Sequence, residues 1–361
     1  MGRVLAIREM KIESSEFGQT KFGKPIIEYC LTNTQGFSIS VLNYGGIVTR
    51  LMAPDRNGMF SNIVLGYNEF NDYENNNPYF GAIIGRYANR IRNAEFTRGN
   101  NHFTLSRNDG PHHLHGGFRG FDKVIWSVDI HKTEDQARLT LRYNSKDTEE
   151  GYPGNLNVAV TYTIDQKNRW TIEYSAQTDK ETPINLTQHS YFNLSGDFDQ
   201  EILDHHLKLE TDYFVPIDYD NLPTGKLSTV AGTPFDFRTS KLIATQLSAL
   251  EEGFNKEVGF DHCFAMKTYD TTLRKFAEVT HEPSGRHMEV FTTKPGVQFY
   301  TANFPKNLYP NPQGGFYKSR TGFCLETQHF PDAPNQSAFP TALIKSGETY
   351  HHKTVYKFGC K

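Results

Sequence analysis

Trp170-Thr-Ile-Glu-Tyr-Ser-Ala-Gln177 decides the fold class. Residues 170, 172, 174 and 176 are apolar or aromatic, and 171, 173, 175 and 177 are polar. Side chains on a strand alternate between its two faces, so this pattern predicts a half-buried strand of an antiparallel sheet. Leu156 to Ile164 and Ala137 to Tyr143 alternate in the same way. Between such runs stand Gly, Asn, Asp and Pro clusters that read as turns, among them Asp55-Arg-Asn-Gly58, Asn108-Asp-Gly-Pro111 and Gly151-Tyr-Pro-Gly154. One helix is predicted near Ser240 to Glu252, where Leu242, Ile243, Leu247 and Leu250 share a face and Gly253 follows as a stop. A shorter one is predicted over Tyr67 to Tyr73. No low-complexity linker and no internal repeat divides the chain. The expectation is one all-β domain over residues 1–361, a large antiparallel β-sandwich with a few short helices.

Composition narrows the function. Of 361 residues, 37% are hydrophobic, which suffices for a substantial core, and 22% are charged. The net charge of −3 gives no basic footprint for nucleic acid. The N-terminus MGRVLAIREMKIE is interrupted by Arg3, Arg8, Glu9 and Lys11, and no run reaches the ~18 apolar residues of a membrane span. The cysteines, Cys30, Cys263, Cys324 and Cys360, show no CxxC pairing and read as free, buried thiols in a reducing compartment. A cytoplasmic protein with no nucleic-acid or membrane partner is expected.

Four polar segments stand out of the β background. Gly85-Arg-Tyr-Ala-Asn-Arg-Ile91 places two arginines at a strand end, which on its own reads more often as a solvated edge than as a site. His112-His-Leu-His-Gly-Gly117 invites a metal reading, but on a strand His112 faces away from His113 and His115, and no carboxylate or Cys completes a ligand set. Its Gly116-Gly117 pair permits a tight turn or close backbone approach, which suits a histidine at a cleft rim. In Thr182 to Leu194, Asn185, Thr187, His189, Tyr191 and Asn193 share one face, with Ile184, Leu186 and Phe192 on the other. That polar face holds no Lys or Glu, as a lined cleft for a hydroxylated ligand would have it. In Gly322-Phe-Cys-Leu-Glu-Thr-Gln-His-Phe330, Glu326 shares a face with Cys324 and Gln328 amid apolar neighbours. A carboxylate there is expected to be partly desolvated, with its pKa raised toward that of a general base.

Together these segments resemble the aldose 1-epimerase (galactose mutarotase) family. The matching stretches are NYGGIVTRLMAPDRNG, YFGAIIGRYANRI, HLHGGFRGFDKVIW, INLTQHSYFNLSG, GTPFDFR, GFDHCF, GVQFYTANF and GFCLETQHFPDAPN, in the family's order from about residue 40 to 335. Ala302 stands where a glycine is common, and roughly fifteen N-terminal residues precede the similarity. The resemblance implies a galactose mutarotase-like supersandwich and an isomerase of hexose metabolism that needs no metal or cofactor. It assigns the general acid to His189 and the general base to Glu326. Asn89, Arg90, His115, Tyr191, Asp261 and Gln298 would bind the sugar. A monomer or weak homodimer is expected.

Changing anomer requires the ring to open, C1–C2 to rotate and the ring to close. A base must take the C1 hydroxyl proton and an acid must protonate the ring oxygen, and the expectation is that the two flank the sugar from opposite sides. A hexose-6-phosphate epimerase would need added cations, for which Arg86, Arg92 and Arg119 are candidates. A glycoside hydrolase would need two carboxylates, for which Asp261 and Glu326 could be nominated. A non-catalytic sugar receptor would be expected to lack the acid or the base.

Overall fold

The computed structural model describes residues 9–75, 77–254 and 259–361. The strand read from Trp170 forms as Arg169–Thr178 and lies fourth in a nine-stranded sheet. Its order is Ser127–Lys132, Gln136–Ser145, Leu156–Asp165, Arg169–Thr178, Thr349–Cys360, Arg286–Thr292, Arg274–Thr280, His206–Leu209 and Lys241–Leu242, all antiparallel. Alternation holds as predicted: Trp170, Ile172, Tyr174 and Ala176 are buried, while Thr171, Glu173 and Ser175 are half-exposed. Register sets Trp170 opposite Ile164 on one side and Tyr356 on the other. Its indole packs between the Tyr162 ring at 5.4 Å and the Tyr356 ring at 5.2 Å.

A five-stranded sheet of successive hairpins (Lys11–Gln19, Pro25–Thr32, Ser38–Leu42, Val48–Pro54, Phe60–Asn62) covers one part of the large sheet. Leu31, Ile39, Val41 and Leu51 from it share a core with Leu139, Leu141 and Tyr162. A second five-stranded sheet runs Ser228–Thr229, Tyr213–Phe214, Asp261–Ala265, Gly296–Tyr300 and Cys324–Gln328. Its Phe264, Val297, Phe299 and Leu325 join the same core, together with Val279, Val290 and Tyr356 of the large sheet. The opposite face of that sheet is therefore free to form a site. The expected all-β antiparallel sandwich is the fold that forms.

Four local expectations change. The helix is Ile243–Phe254, and Leu242 ends a strand beside His206 instead of joining the helical face. Of the four expected apolar residues, Ile243, Leu247 and Leu250 are buried. The short helix is Phe70–Asn75; Tyr67 precedes it and meets Tyr73 edge to face at 5.1 Å. Residues 182–194 form no continuous two-faced strand. Only Thr182–Pro183 and Thr187–Gln188 pair regularly, and all thirteen residues are buried as the segment threads between layers. Of the cysteines, all free, only Cys263 and Cys324 are buried; Cys360 is exposed and Cys30 half-buried.

Trp170→Ala should remove about 3–5 kcal/mol of stability, the usual cost of truncating a large buried aromatic. Urea unfolding measures this, and a loss under about 1 kcal/mol would place the packing centre elsewhere.

Candidate active site

The floor of the site follows from strand register. Asp261 lies opposite Tyr300, which lies opposite Cys324; two residues further along, Cys263 lies opposite Gln298, which lies opposite Glu326. Alternate residues face one side of a sheet, so these side chains rise from the face turned away from the core. Glu326 is only 2% exposed, which settles it as a buried group and not a solvated strand residue.

The walls come from loops held by close backbone approach. His113–Leu114 pairs with Arg90–Ile91. Gly116, at φ +89°, lies against the backbone of Gly85: a Cβ there would stand 1.9 Å from the Gly85 carbonyl oxygen, so no larger residue fits. Reciprocal bonds then tie His115 to Asn89. The Asn89 carbonyl accepts from the His115 N–H at 3.1 Å, and His115 Nδ1 accepts from the Asn89 N–H at 3.1 Å. Arg90 is braced by Asp109 at 2.7 Å. From the threading segment come His189 and Tyr191, the latter fixed by donating to the Pro78 carbonyl at 2.9 Å.

These groups enclose a cavity of about 340 Å³ lined by Asn89, Arg90, His115, His189, Tyr191, Asp261 and Glu326. That volume sits near the lower end of small-molecule sites, roughly 300–1,000 Å³. Seven of the eight residues expected from the sequence therefore meet in one place. Gln298 shares that sheet face without lining the cavity, and donates from Nε2 to Asp261 Oδ1 at 2.7 Å. Tyr79, Lys123, Tyr300, Phe304 and Tyr309 also line the cavity, without a role assigned from the sequence. The first four lie inside stretches that carry the family resemblance, so the signal was present. Tyr79 stacks on His189 at 5.7 Å and meets His115 edge-on at 4.7 Å. A larger cleft of about 510 Å³ adjoins it at Lys123 but holds no acid–base couple.

His189 Nε2 lies 3.5 Å from Glu326 Oε2, and that oxygen has no hydrogen-bond partner. The two therefore share one wall instead of flanking the cavity from opposite sides. Burial lowers His189 to about 3. Burial, then the Asp261 carboxylate, raises Glu326 well above the carboxylate range, against a pull from Arg90. Both effects disfavour a lone charge and favour the state in which the pair holds one proton between its members. His115 is pushed well down by burial, then by His189, Arg90 and Lys123. With Nδ1 already accepting, neutral His115 carries its proton on Nε2.

Nitrogens of His115 and His189 and an oxygen of Glu326 lie within 4.8 Å of one another, close enough to suggest a metal. A metal would need the electron pair of His115 Nε2, which the proton occupies while Nδ1 accepts from Asn89. The set is built for hydrogen bonding. The other two histidines of the HHLH run diverge: His113 bonds Tyr152 at 2.6 Å, and His112 Nδ1 accepts from the Asn93 N–H at 3.0 Å. On the threading segment, Asn185 and Asn193 bond to neighbouring backbone and only His189 and Tyr191 reach the cavity.

Stacked antiparallel sheets with a small polar cavity on one free face define an all-β enzyme with a small-molecule site. The model of the aldose 1-epimerase family matches residues 28–357, and the chain belongs to that family. Mouse galactose mutarotase is 41% identical over 350 residues, covering 97% of this chain and 99% of the mouse protein. Aldose 1-epimerase of Escherichia coli K12 is 34% identical, covering 93% and 96%. The crystal structure of galactose 1-epimerase from Lactobacillus acidophilus superposes with a TM-score of 0.84 at 27% identity, covering 97% and 99%.

A carboxyl whose folded pKa is raised favours folding while it is protonated, and that contribution disappears as pH rises through the folded value. Glu326→Gln mimics the protonated form. At pH 8 the variant should be more stable than the parent by roughly 1–3 kcal/mol, with the gap closing toward pH 4. Paired thermal melts decide this; a less stable variant at pH 8 would contradict the carboxyl's strained burial.

Proposed function

We propose that the chain is an aldose 1-epimerase that interconverts the α and β anomers of a free hexose such as galactose or glucose. The contact that carries this reading is the one between His189 and Glu326, 3.5 Å apart inside the polar cavity. The hemiacetal's ring oxygen and hydroxyl oxygen are attached to one carbon, so an acid and a base on one wall can address both together. Glu326 takes the C1 hydroxyl proton as His189 delivers one to the ring oxygen. The open-chain aldehyde rotates about C1–C2, and closure on its other face reverses both transfers. Each positioned transfer is worth about 10²–10⁴-fold.

The remaining groups hold the sugar. His115 offers an Nε2–H donor, Arg90 a guanidinium braced by Asp109, Asn89 an amide and Asp261 an acceptor. Tyr191 and Tyr79 supply ring faces near the couple. Since Nδ1 of His115 accepts and its cationic neighbours oppose a further proton, His189 is the better acid of the two.

A phosphorylated hexose fits less well. Arg86 is 2% exposed and donates to Pro153, Gly154 and Ser145; Arg92 pairs with Asp218 at 2.6 Å; Arg119 lines the adjoining cleft. None of the three lines the cavity. We read the chain as one domain, acting in the cytoplasm as a monomer or weak homodimer. Four unpaired cysteines support the compartment, and no helix among the described residues is long and apolar enough to cross a membrane.

Polarimetry of freshly dissolved α-D-galactose and α-D-glucose tests the reading: the protein should speed relaxation to an unchanged final rotation. Glu326→Gln and His189→Asn should each lose at least ~10²-fold in kcat while remaining folded. Wild-type turnover in either folded variant would overturn the roles.

The pair is active with one proton. A second proton binds only at low pH, because His189 is lowered to about 3, and the first is lost only above the ordinary carboxylate range. The acid limb of kcat/KM should therefore fall well below about pH 6.5, the value of free imidazole. A limb centred at that value would assign it to an unperturbed histidine.

A further inference from the structure

Behind the cavity runs a row of amides that can point only one way. Asp261 lines the cavity, and its Oδ1 accepts from Gln298 Nε2 at 2.7 Å. With Asp261 accepting at that atom, Gln298 turns its NH₂ toward Asp261 and its carbonyl away. That carbonyl accepts from Gln328 Nε2 at 3.0 Å. The orientation of Gln328 is dictated in turn. Its own Oε1 is left without a partner at a position with no solvent exposure. Flipping Gln328 would set two carbonyl oxygens against each other, so the row keeps its direction despite that orphaned atom.

The backbone makes room for this reach. Gly296 lies directly opposite Gln328, and Gln298 directly opposite Glu326. A Cβ on Gly296 would come within 2.9 Å of Cys263 Sγ and 3.1 Å of the Phe330 ring. With no side chain there, Gln328 leans diagonally across the neighbouring strand to Gln298. Nothing in the proton-transfer chemistry uses Gln328.

We propose that Gln328 is a positioning residue of the sugar site, which acts through Gln298 to hold the Asp261 carboxylate where it receives the hydroxyls of the bound hexose. This rests on the reading of Asp261 as a sugar-binding group. When Gln328 donates nothing, the Gln298 carbonyl loses its anchor, and the amide no longer holds the Asp261 carboxylate in one place. The cost falls on sugar binding, with the His189–Glu326 chemistry intact.

Gln328→Glu tests the direction of the row at almost unchanged shape. Ionised, the new side chain accepts only and competes with Asp261 for the Gln298 NH₂; protonated, its O–H donates to Gln298 and restores the row. At pH 8, KM for the hexose should rise about tenfold or more while kcat stays within about threefold of wild type. At pH 5, KM relative to wild type should return to within about twofold, because burial raises the new carboxyl and keeps it protonated there. A KM within twofold at both pH values overturns the proposal, as does a fall of kcat in step with KM. If that variant does not fold, Gln328→Met removes the donor without adding charge. A KM several-fold higher at every pH with kcat held then supports the role, and an unchanged KM overturns it. Wild type run alongside separates the two readings. If it fails to epimerise, the assignment of the site falls; if it turns over and the variants match it, only the amide row falls.

Discussion

A carboxylate oxygen with no partner, buried 3.5 Å from an imidazole, is the constraint around which this molecule is arranged. Left to itself, such a group would be hydrated or neutralised, because unpaired buried charge is costly. Here its place in the middle of Cys324–Gln328, a strand buried at all five positions, withdraws it from bulk solvent. The sheet carrying it is anchored on its far face by Phe264, Val297, Phe299 and Leu325 in the main core. The apolar packing thus bears the penalty that the polar face incurs. The same logic governs the loops beside it, where Gly116 lets two segments touch backbone to backbone and so presents His115 at a fixed angle.

The fold class was legible because period-two alternation is strong wherever a strand has one buried face, as in Arg169–Thr178. It misled over residues 182–194 for a definite reason. That segment is enclosed on every side, so its polar residues meet backbone groups as well as the cavity, and alternation no longer separates core from cleft. Helix ends shifted by a few residues where Leu242 paired with His206 as a strand. Turn geometry was hidden as well: His115 has φ +52° and Ala302 φ +47°, left-handed backbone that a residue name does not announce. At Ala302 the departure from a common glycine falls on a position where glycine would sit without strain.

The site was legible mainly through motif order. Burial of Glu326 could be guessed from its apolar neighbours, but its contact with His189 joins residues 137 positions apart and belongs to tertiary structure. Even with both residues in hand, sequence gave no means of telling one wall from two. Gln298 shows the complementary limit: its residue type suits a sugar contact, but its bond to Asp261 Oδ1 exists only in the folded chain.

The threading segment also bears on how the molecule assembles. Residue 189 reaches the cavity only when 182–194 is held by Ile84, Tyr87 and Ala342 or Ile344 on one hand and Phe323 on the other, all distant in sequence. Such long-range closures come late, after local hairpins have formed, because loop entropy opposes them until the surrounding layers exist. Enzymatic competence therefore marks the finished chain, and a refolding sample should regain its strand signal before it regains turnover.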